Sequence, residues 1–311
     1  MKSATIRQLR VFASVAKHGS FARAAEEMHL TPPALSMQIK ELEKNCELPL
    51  FERSGNAVRL TMPGEYLLVY ARRIMATLKE AETVMAGLRG AEAGRMTIGM
   101  VSTAKYFLPR LLARFRAEHP AVEMRLSSGN REQLVRQLRD NEVDLAVMGR
   151  PPRELDTRAE PFAAHPLAVI AAPAHPLARR RNIPPKALES EQFIVREPGS
   201  GTRAAMQDFF REQRISPPIA MEMSSNETIK QAVCADMGLA FVSLHTAALE
   251  LSVGQLVVLD VAGLPLMRRW HIVNIQSKPQ SPAAEAFRYF VMERGEGMLA
   301  EQFGKSVPVK P

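Results

Sequence analysis

Apolar residues near the start of the chain recur at the spacing of short amphipathic helices. The pattern predicts one helix over about Ile6 to His18 and a second that begins after the capping hydroxyl of Ser20. Thr31 followed by Pro32 marks a third helix start, because proline lacks only an N–H group that the first turn leaves unbonded. The inward positions of the first two helices are Leu9, Phe12, Val15 and Ala16, then Phe21, Ala24, Ala25 and Met28.

The third predicted helix has two different faces. Leu35, Ile39, Leu42 and Cys46 recur at i, i+4, i+7 and i+11 and should pack inward. The opposite face is small, polar and basic, which suits a helix that lies in the major groove of DNA. Taken alone, this helix could equally be an ordinary amphipathic helix with a solvated face. The residues of the polar face are Ser36, Met37, Lys40 and Lys44.

A longer apolar repeat follows between Pro63 and about Ala91. Its spacing alternates by four and three, which is typical of a coiled-coil seam, although a helix packed on its own chain would also fit. Dimerisation through this helix would pair two recognition helices on a two-fold operator. We read residues 91 to 95 as a hinge. The predicted seam consists of Leu67, Ala71, Ile74, Leu78, Ala81, Met85 and Leu88.

Beyond Arg95 the pattern changes to short apolar strands that alternate with amphipathic helices, as in an α/β domain. The predicted helices cover about Phe107–Glu118, Glu132–Asn141, Thr202–Gln213, Glu227–Ala235 and Ala283–Met292. The predicted strands are Met96–Val101, Glu123–Ser127, Asp144–Met148, Leu167–Ala171, Phe193–Arg196, Ala220–Met223, Leu239–Val242, Leu256–Val261 and Trp270–Ile275.

The totals describe an ordinary globular protein with an anionic partner. The chain is 46% hydrophobic and 24% charged, as is usual for a globular protein. Its length of 311 residues is enough for two or three domains. Its net charge of +8 suits DNA or a phosphorylated ligand. The two cysteines, Cys46 and Cys234, form no disulfide framework or metal motif, so we expect no metal and no cofactor. No apolar run is long enough to cross a bilayer, and we expect a cytoplasmic location.

Three strand-to-helix junctions carry the polar groups of a candidate ligand site. Hydroxyl groups and free backbone N–H groups at a helix start bind anions, although such turns are more often only turns and caps. Arginine and lysine side chains also follow the strands and would match a carboxylate or a phosphate. Each of these cations could instead belong to a solvated face or an ion pair. The junctions are 102–107, 197–203 and 224–228, and the cations are Lys105, Arg131, Arg150, Arg196 and Arg203.

The N-terminal residues closely resemble the DNA-binding domain of LysR-type transcriptional regulators. The resemblance is carried by residues 9–12, 19–25, 33–36, 42–43, 49–53 and 60–64, read in one window. It implies a winged helix-turn-helix with residues 51–60 as the wing. Two residues depart from the family pattern: Pro32 replaces the usual glutamine, and Glu47 replaces a glycine at a position that tends to need positive φ. The expected DNA-binding residues are Arg23, Thr31, Pro33, Ala34, Ser36, Met37, Gln38, Lys40, Lys44, Arg53 and Arg59.

The rest of the chain resembles the effector domain of the same family, which is α/β and akin to type 2 periplasmic binding proteins. The resemblance implies domains at 1–62, 63–92 and 95–303, with lobe I at 95–167 plus 272–303 and lobe II at 168–271. A small anionic effector would bind between the lobes. The expected contacts are Ser102, Thr103, Ala104, Lys105, Asn130, Arg131, Gly149, Arg150, Arg196, Gly199, Ser200, Gly201, Thr202, Arg203, Asn226 and Glu227.

A sharper resemblance points to the CbbR branch, the regulators of carbon-fixation (RuBisCO) operons. It rests on residues 102–107, 129–132, 148–156, 196–203 and 225–233. It implies a phosphorylated effector such as ribulose bisphosphate or phosphoenolpyruvate, or NADPH. We expect the protein to be a homodimer or homotetramer that binds promoter DNA and contacts RNA polymerase. The alternatives are a LysR-type regulator with a carboxylate effector, an enzyme built on the α/β domain, and a purely structural DNA binder. Against the enzyme, no nucleophile elbow or Ser/His/Asp spacing appears.

Overall fold

The computed structural model describes residues 3–54, 57–88 and 94–304. The chain divides into two compact units, Met1–Met85 and Ala86–Pro311. No helix in the described part of the chain is both long and apolar enough to span a membrane. Cys46 and Cys234 are free, half-buried thiols whose pKa is raised by burial.

The first unit is a three-helix core followed by a two-stranded hairpin and a long helix. The predicted caps are confirmed, since the hydroxyl oxygens of Ser20 and Thr31 accept hydrogen bonds from the backbone N–H groups of Arg23 and Ala34. The elements are α1 (Ile6–His18), α2 (Phe21–Glu27), α3 (Pro32–Cys46), β1 (Phe51–Ser54), β2 (Ala57–Leu60) and α4 (Met62–Leu88). Their buried core includes Leu9, Val11, Phe12, Val15, Ala24, Ala25, Leu35, Ile39, Leu42 and Leu50.

The hairpin, which is the predicted wing, is held to α3 by a single carboxylate. Glu43 Oε1 accepts the backbone N–H groups of Leu50 at 2.8 Å and Phe51 at 3.3 Å. The Phe51 ring packs 5.2 Å from the ring of Phe12. Glu47 ends α3 with a φ of 56°, so the positive φ predicted for this position is confirmed.

Part of the dimerisation seam predicted for the long helix α4 is wrong, because two of its residues are buried within their own unit. Leu67 and Ala71 are buried in the core of their own unit, so their side chains are not free to meet a partner. Ile74 and Met85 are 40% and 58% exposed, Ala81 is exposed, and Leu78 is half-buried. The side chain of Leu88 lies outside the described residues, as does most of the predicted hinge, because residues 89–93 are not described.

The second unit is built on a mixed sheet with helices around it. Its strands are β3 (Arg95–Val101), β4 (Glu123–Gly129), β5 (Leu145–Met148), β6 (Thr157–Ala171), β7 (Phe193–Arg196), β8 (Ile219–Met223), β9 (Ala240–Ser243), β10 (Val257–Val258) and β11 (Leu266–Ile275). Its helices are α5 (Leu108–Glu118), α6 (Arg131–Arg139), α7 (Gly201–Glu212), α8 (Asn226–Cys234), α9 (Leu244–Ser252) and α10 (Pro282–Phe303), with short 3-10 turns at Ala104–Tyr106 and Pro185–Leu188.

Two long antiparallel strands connect the two lobes of this unit. The large sheet has the order β10-β6-β11-β5-β3-β4, with β9 also paired to β6, while β7 and β8 form a separate parallel pair. Strands β6 and β11 pair from Leu167 opposite Leu266 to Thr157 opposite Ile275. The predicted lobe boundaries after residues 167 and 271 therefore fall inside these strands. Separate apolar clusters form around the β3–β5 side and the β7 side.

Several predicted elements are shorter or fewer than the observed ones. The apolar pattern predicts this strand only from Leu167, whereas β6 begins at Thr157 even though prolines such as Pro161 and Pro166 disfavour a paired strand. The structure places a register shift opposite Pro161, at Trp270/His271, which absorbs the irregularity. Helix α10 continues past two glycines to Phe303. Gly295 allows the helix to pack closely on the Phe162 ring, because a Cβ at this position would lie 2.7 Å from Cδ2 of that ring. Helix α9 was missed.

Candidate functional site

The polar face of α3 is open to solvent in the first unit. Most of the predicted DNA-binding side chains are exposed there: Arg23, Thr31, Pro33, Met37, Lys40, Lys44 and Arg59. Ala34, Ser36 and Gln38 are half-buried between them, and the side chain of Arg53 lies outside the described residues. The helix thus presents two lysines beside small side chains, which lets a nucleic-acid backbone approach closely.

The second unit contains a cleft at the carboxyl ends of several strands. It encloses about 440 Å³ of atom-free space, part of it open to solvent. Strands β3, β5 and β7 end at this cleft, and β6 and β11 pass beneath it. The lining residues are Val101, Ser102, Thr103, Asn130, Arg131, Met148, Gly149, Arg150, His165, Leu167, Arg196, Ser200, Gly201, Thr202 and Arg268.

Ten of the sixteen predicted effector contacts line this cleft, and six do not. Gly199 and Arg203 line a wider open groove that adjoins it and shares Arg131 and Arg150 with it. The other four, Ala104, Lys105, Asn226 and Glu227, lie outside both spaces. Ala104 is fully buried in the apolar core, because the chain turns inward directly after β3. We therefore correct the prediction for these last four residues, which line neither the cleft nor the groove.

Lys105 and Glu227 face each other instead of the cleft. The Glu227 carboxylate accepts a hydrogen bond from the Tyr106 hydroxyl and pairs with Lys230 at 3.1 Å and Lys105 at 3.8 Å. Burial by itself raises the pKa of Glu227, but the hydrogen bonds from Tyr106 and Lys230 outweigh it and lower the pKa. Burial, followed by the bond to Glu227, raises the pKa of Tyr106. This cluster holds α8 against the turn after β3.

Two arginines of the cleft use most of their N–H groups in hydrogen bonds to the protein itself. Arg196 donates to both oxygens of Glu197, to Asn226 Oδ1 at 2.6 Å and to Ser102 Oγ at 2.9 Å. Asn226 is therefore a positioning residue for Arg196. Arg131 forms a bidentate pair with Glu154 and donates to the backbone oxygens of Arg150 and Pro151. Arg203, outside the cleft, donates to the backbone oxygen of Arg196 and pairs with Glu222.

Two other arginines share a single carboxylate. Arg150 Nη1 lies 3.4 Å from Asp208 Oδ2, and Arg268 Nη2 lies 3.8 Å from the same oxygen. Asp208 also pairs with the exposed Arg211 at 3.1 Å. Burial lowers the pKa of Arg268, which nevertheless stays charged because arginine titrates far above neutrality. The cleft thus holds an excess of positive charge.

The start of helix α7 completes the polar wall. Ser200 caps the helix by accepting from the Arg203 backbone N–H, and Gly201 and Thr202 form its first turn. The N–H groups of a first turn have no helical acceptor and carry the positive end of the helix dipole. With Arg150 and Arg268 nearby, the geometry provides donors for a small anion.

The floor of the cleft contains two groups that sequence reasoning missed, His165 and Arg268. They are opposite each other in the β6–β11 register, so only the strand pairing brings them together. His165 stacks on Trp270 with ring centroids 3.8 Å apart. Gly149 passes over that ring, where a Cβ would lie 2.5 Å from Nδ1. No group of three or more His, Cys, Asp or Glu side chains that could hold a metal occurs in the described residues.

Comparisons with known proteins agree with these two units. The model of the bacterial regulatory helix-turn-helix protein, lysR family, matches residues 6–65, and that of the LysR substrate binding domain matches residues 89–296. The chain is 48% identical over 308 residues to the HTH-type transcriptional regulator CfxR of Cupriavidus necator, covering 99% of this chain and 97% of that one. It is also 48% identical to the RuBisCO operon transcriptional regulator of Allochromatium vinosum, covering 94% and 97%.

Among the solved structures similar to this chain is one that matches the second unit. It is the CcmR regulatory domain of Synechocystis PCC6803 in complex with 2-PG, with a TM-score of 0.62, 40% identity and coverage of 64% of this chain and 96% of that one. The winged helix-turn-helix, the two-lobed effector domain and the matches along nearly the whole chain lead to one conclusion: this protein belongs to the LysR family of DNA-binding transcriptional regulators.

Proposed function

We propose that the cleft binds a small phosphorylated metabolite and that this ligand controls how the protein holds promoter DNA. The observation that carries the proposal is the pairing of Arg150 and Arg268 with the one carboxylate of Asp208, next to the start of α7. A charge-assisted hydrogen bond contributes about 1.5–3 kcal/mol, so a few such contacts would be enough for micromolar binding, about 8 kcal/mol. The CcmR domain in complex with 2-PG (2-phosphoglycolate) supports this ligand class.

We further infer that the target is a carbon-fixation operon, because relatives at 48% identity include a RuBisCO operon regulator. The protein then acts in the cytoplasm as a homotetramer that contacts RNA polymerase, and as a regulator rather than as an enzyme. A ligand shifts the balance between two arrangements of the lobes only if it binds one arrangement more tightly than the other. Closure of the lobes around an anion provides such a difference in affinity. Control of another operon by a carboxylate effector is the second candidate, since arginine binds both anions.

The test is calorimetric titration with 2-phosphoglycolate, followed by footprinting on the promoter with and without it. We expect Arg268→Gln to weaken ligand binding at least tenfold, because it removes a charged donor from the cleft, while ligand-free DNA affinity stays unchanged. Arg211→Gln is the matched control, because Arg211 contacts the same Asp208 from outside the cleft. Equal ligand affinity in wild type and Arg268→Gln would refute the site. A carboxylate that binds more tightly than 2-phosphoglycolate would favour the second candidate.

A further inference from the structure

His165 is the one imidazole among the residues that line the cleft. It lies in the middle of β6, directly opposite Arg268 of β11, and the cleft lining also includes the apolar Val101, Met148 and Leu167. Only 5% of the residue is exposed. A ring so deeply buried beside a cleft is fixed in place, because it is stacked on Trp270 and covered by Gly149.

The hydrogen-bonding capacity of this ring is unused within the described part of the chain. Neither Nδ1 nor Nε2 of His165 has a hydrogen-bond partner there. The neighbouring Trp270 does not donate a hydrogen bond to His165, since its indole N–H donates to His245 Nδ1 at 3.1 Å. Buried polar atoms are almost always paired, so an unpaired imidazole that borders a cleft indicates a partner that arrives with the ligand.

The surroundings of the imidazole also favour its neutral form. Burial, followed by the nearby His245, Arg268 and His271, holds the pKa of His165 well below its usual value. A neutral ring has one N–H donor and one lone pair. It can therefore donate to an anionic oxygen or accept from a hydroxyl group without adding a further buried charge beside Arg268.

Building on the proposed function, we propose that His165 determines ligand specificity by hydrogen-bonding a second oxygen-bearing group of the effector, while the arginines and the α7 start hold its phosphoryl group. The ligand class is then a phosphate ester of a small carboxy or hydroxy acid. Inorganic phosphate satisfies the arginines but has no second group to reach the ring.

Calorimetric titration of full-length wild type and His165→Phe with two probes, 2-phosphoglycolate and inorganic phosphate, tests this assignment. Phenylalanine keeps the stack on Trp270 but removes both nitrogens. We expect about tenfold weaker binding of 2-phosphoglycolate, the ratio given by one hydrogen bond of ordinary strength, and less than a twofold change for phosphate. His165→Gln should recover part of the loss, because its amide can donate and accept. His119→Phe, which changes a histidine outside the cleft, is the matched control.

An equal loss for both probes, or no loss for either, would overturn the role of His165 while leaving the anion site in place. Wild type that binds neither probe would overturn the proposed function and this assignment together. If His165→Phe does not fold, wild type with 15N-labelled histidine decides the question. A ring-nitrogen signal of His165 that moves with 2-phosphoglycolate and not with phosphate supports the assignment, and an unmoved signal at saturation overturns it.

Discussion

At the scale of single residues, the cleft depends on how closely backbone and rings approach each other. Gly149 follows β5 at the point where the chain crosses the ring of His165. That ring has little room to move, because it lies between Gly149 and the fully buried Trp270. The family resemblance names Gly149 among the expected effector contacts, but the packing reason for a glycine here is the histidine ring, which no local pattern connects with it.

We predict that Gly149→Ala destabilises the effector domain by about 1–3 kcal/mol, the usual cost of overpacking a rigid site. The new Cβ would lie 2.5 Å from His165 Nδ1 and 2.7 Å from Cε1. Thermal unfolding followed by fluorescence of the single tryptophan, Trp270, measures the effect. Gly297→Ala is the control, because its Cβ would meet nothing within 4 Å and alanine favours a helix, so its stability should be unchanged or slightly raised. Equal unfolding temperatures for Gly149→Ala and wild type would contradict the packing account.

At the scale of elements, α3 shows how local signals and tertiary contacts combine. Thr31 and Pro32 start the helix, as their chemistry predicts, and Glu47 ends it with a positive φ. The inward face meets α1 and α2, while Gln8 Nε2 donates to Glu41 Oε2 at 3.1 Å and so ties α1 to α3. The opposite face remains open, with Lys40 exposed on it.

We predict that Lys40→Ala lowers promoter affinity and reduces the slope of log K against log salt concentration by about one, because one phosphate contact releases about one counterion. Fluorescence anisotropy at four or more salt concentrations measures the slope. Lys186→Ala is the control, since Lys186 is an exposed lysine of the effector domain that pairs with Glu189. A slope equal to that of wild type would remove Lys40 from the phosphate contacts.

At the scale of the whole molecule, the remaining question is how copies of the chain associate. The long helix α4 contributes Leu67 and Ala71 to its own unit and leaves Ile74 and Met85 exposed further along. Exposed apolar side chains at seam spacing are what a second helix would cover. The prediction of dimerisation through α4 therefore applies to its positions from Ile74 onward.

We predict that Ile74→Glu weakens self-association at least tenfold, because it places a charge where an apolar side chain would be buried. Sedimentation equilibrium of the full chain measures the association constant. Thr77→Glu adds the same charge at an exposed position of α4 outside the predicted seam, and it should associate like wild type. If both variants associate as wild type does, the seam does not form the dimer.

The sequence by itself determined most helices, their caps and most strands of this protein, because these follow from periodicity and capping chemistry within a few residues. The wing followed from the family resemblance. The strand-to-helix junctions, together with the family resemblance, also named ten residues that line the cleft, since residues after parallel strands meet at one edge of a sheet. Only the tertiary structure decided which side chains the cations of the site pair with. Arg131 and Arg196 are occupied by Glu154, Glu197 and Asn226, and His165 meets Arg268 through strand register. Except for Arg196 and its neighbour Glu197, these pairings join residues far apart in the chain, so no local pattern encodes them.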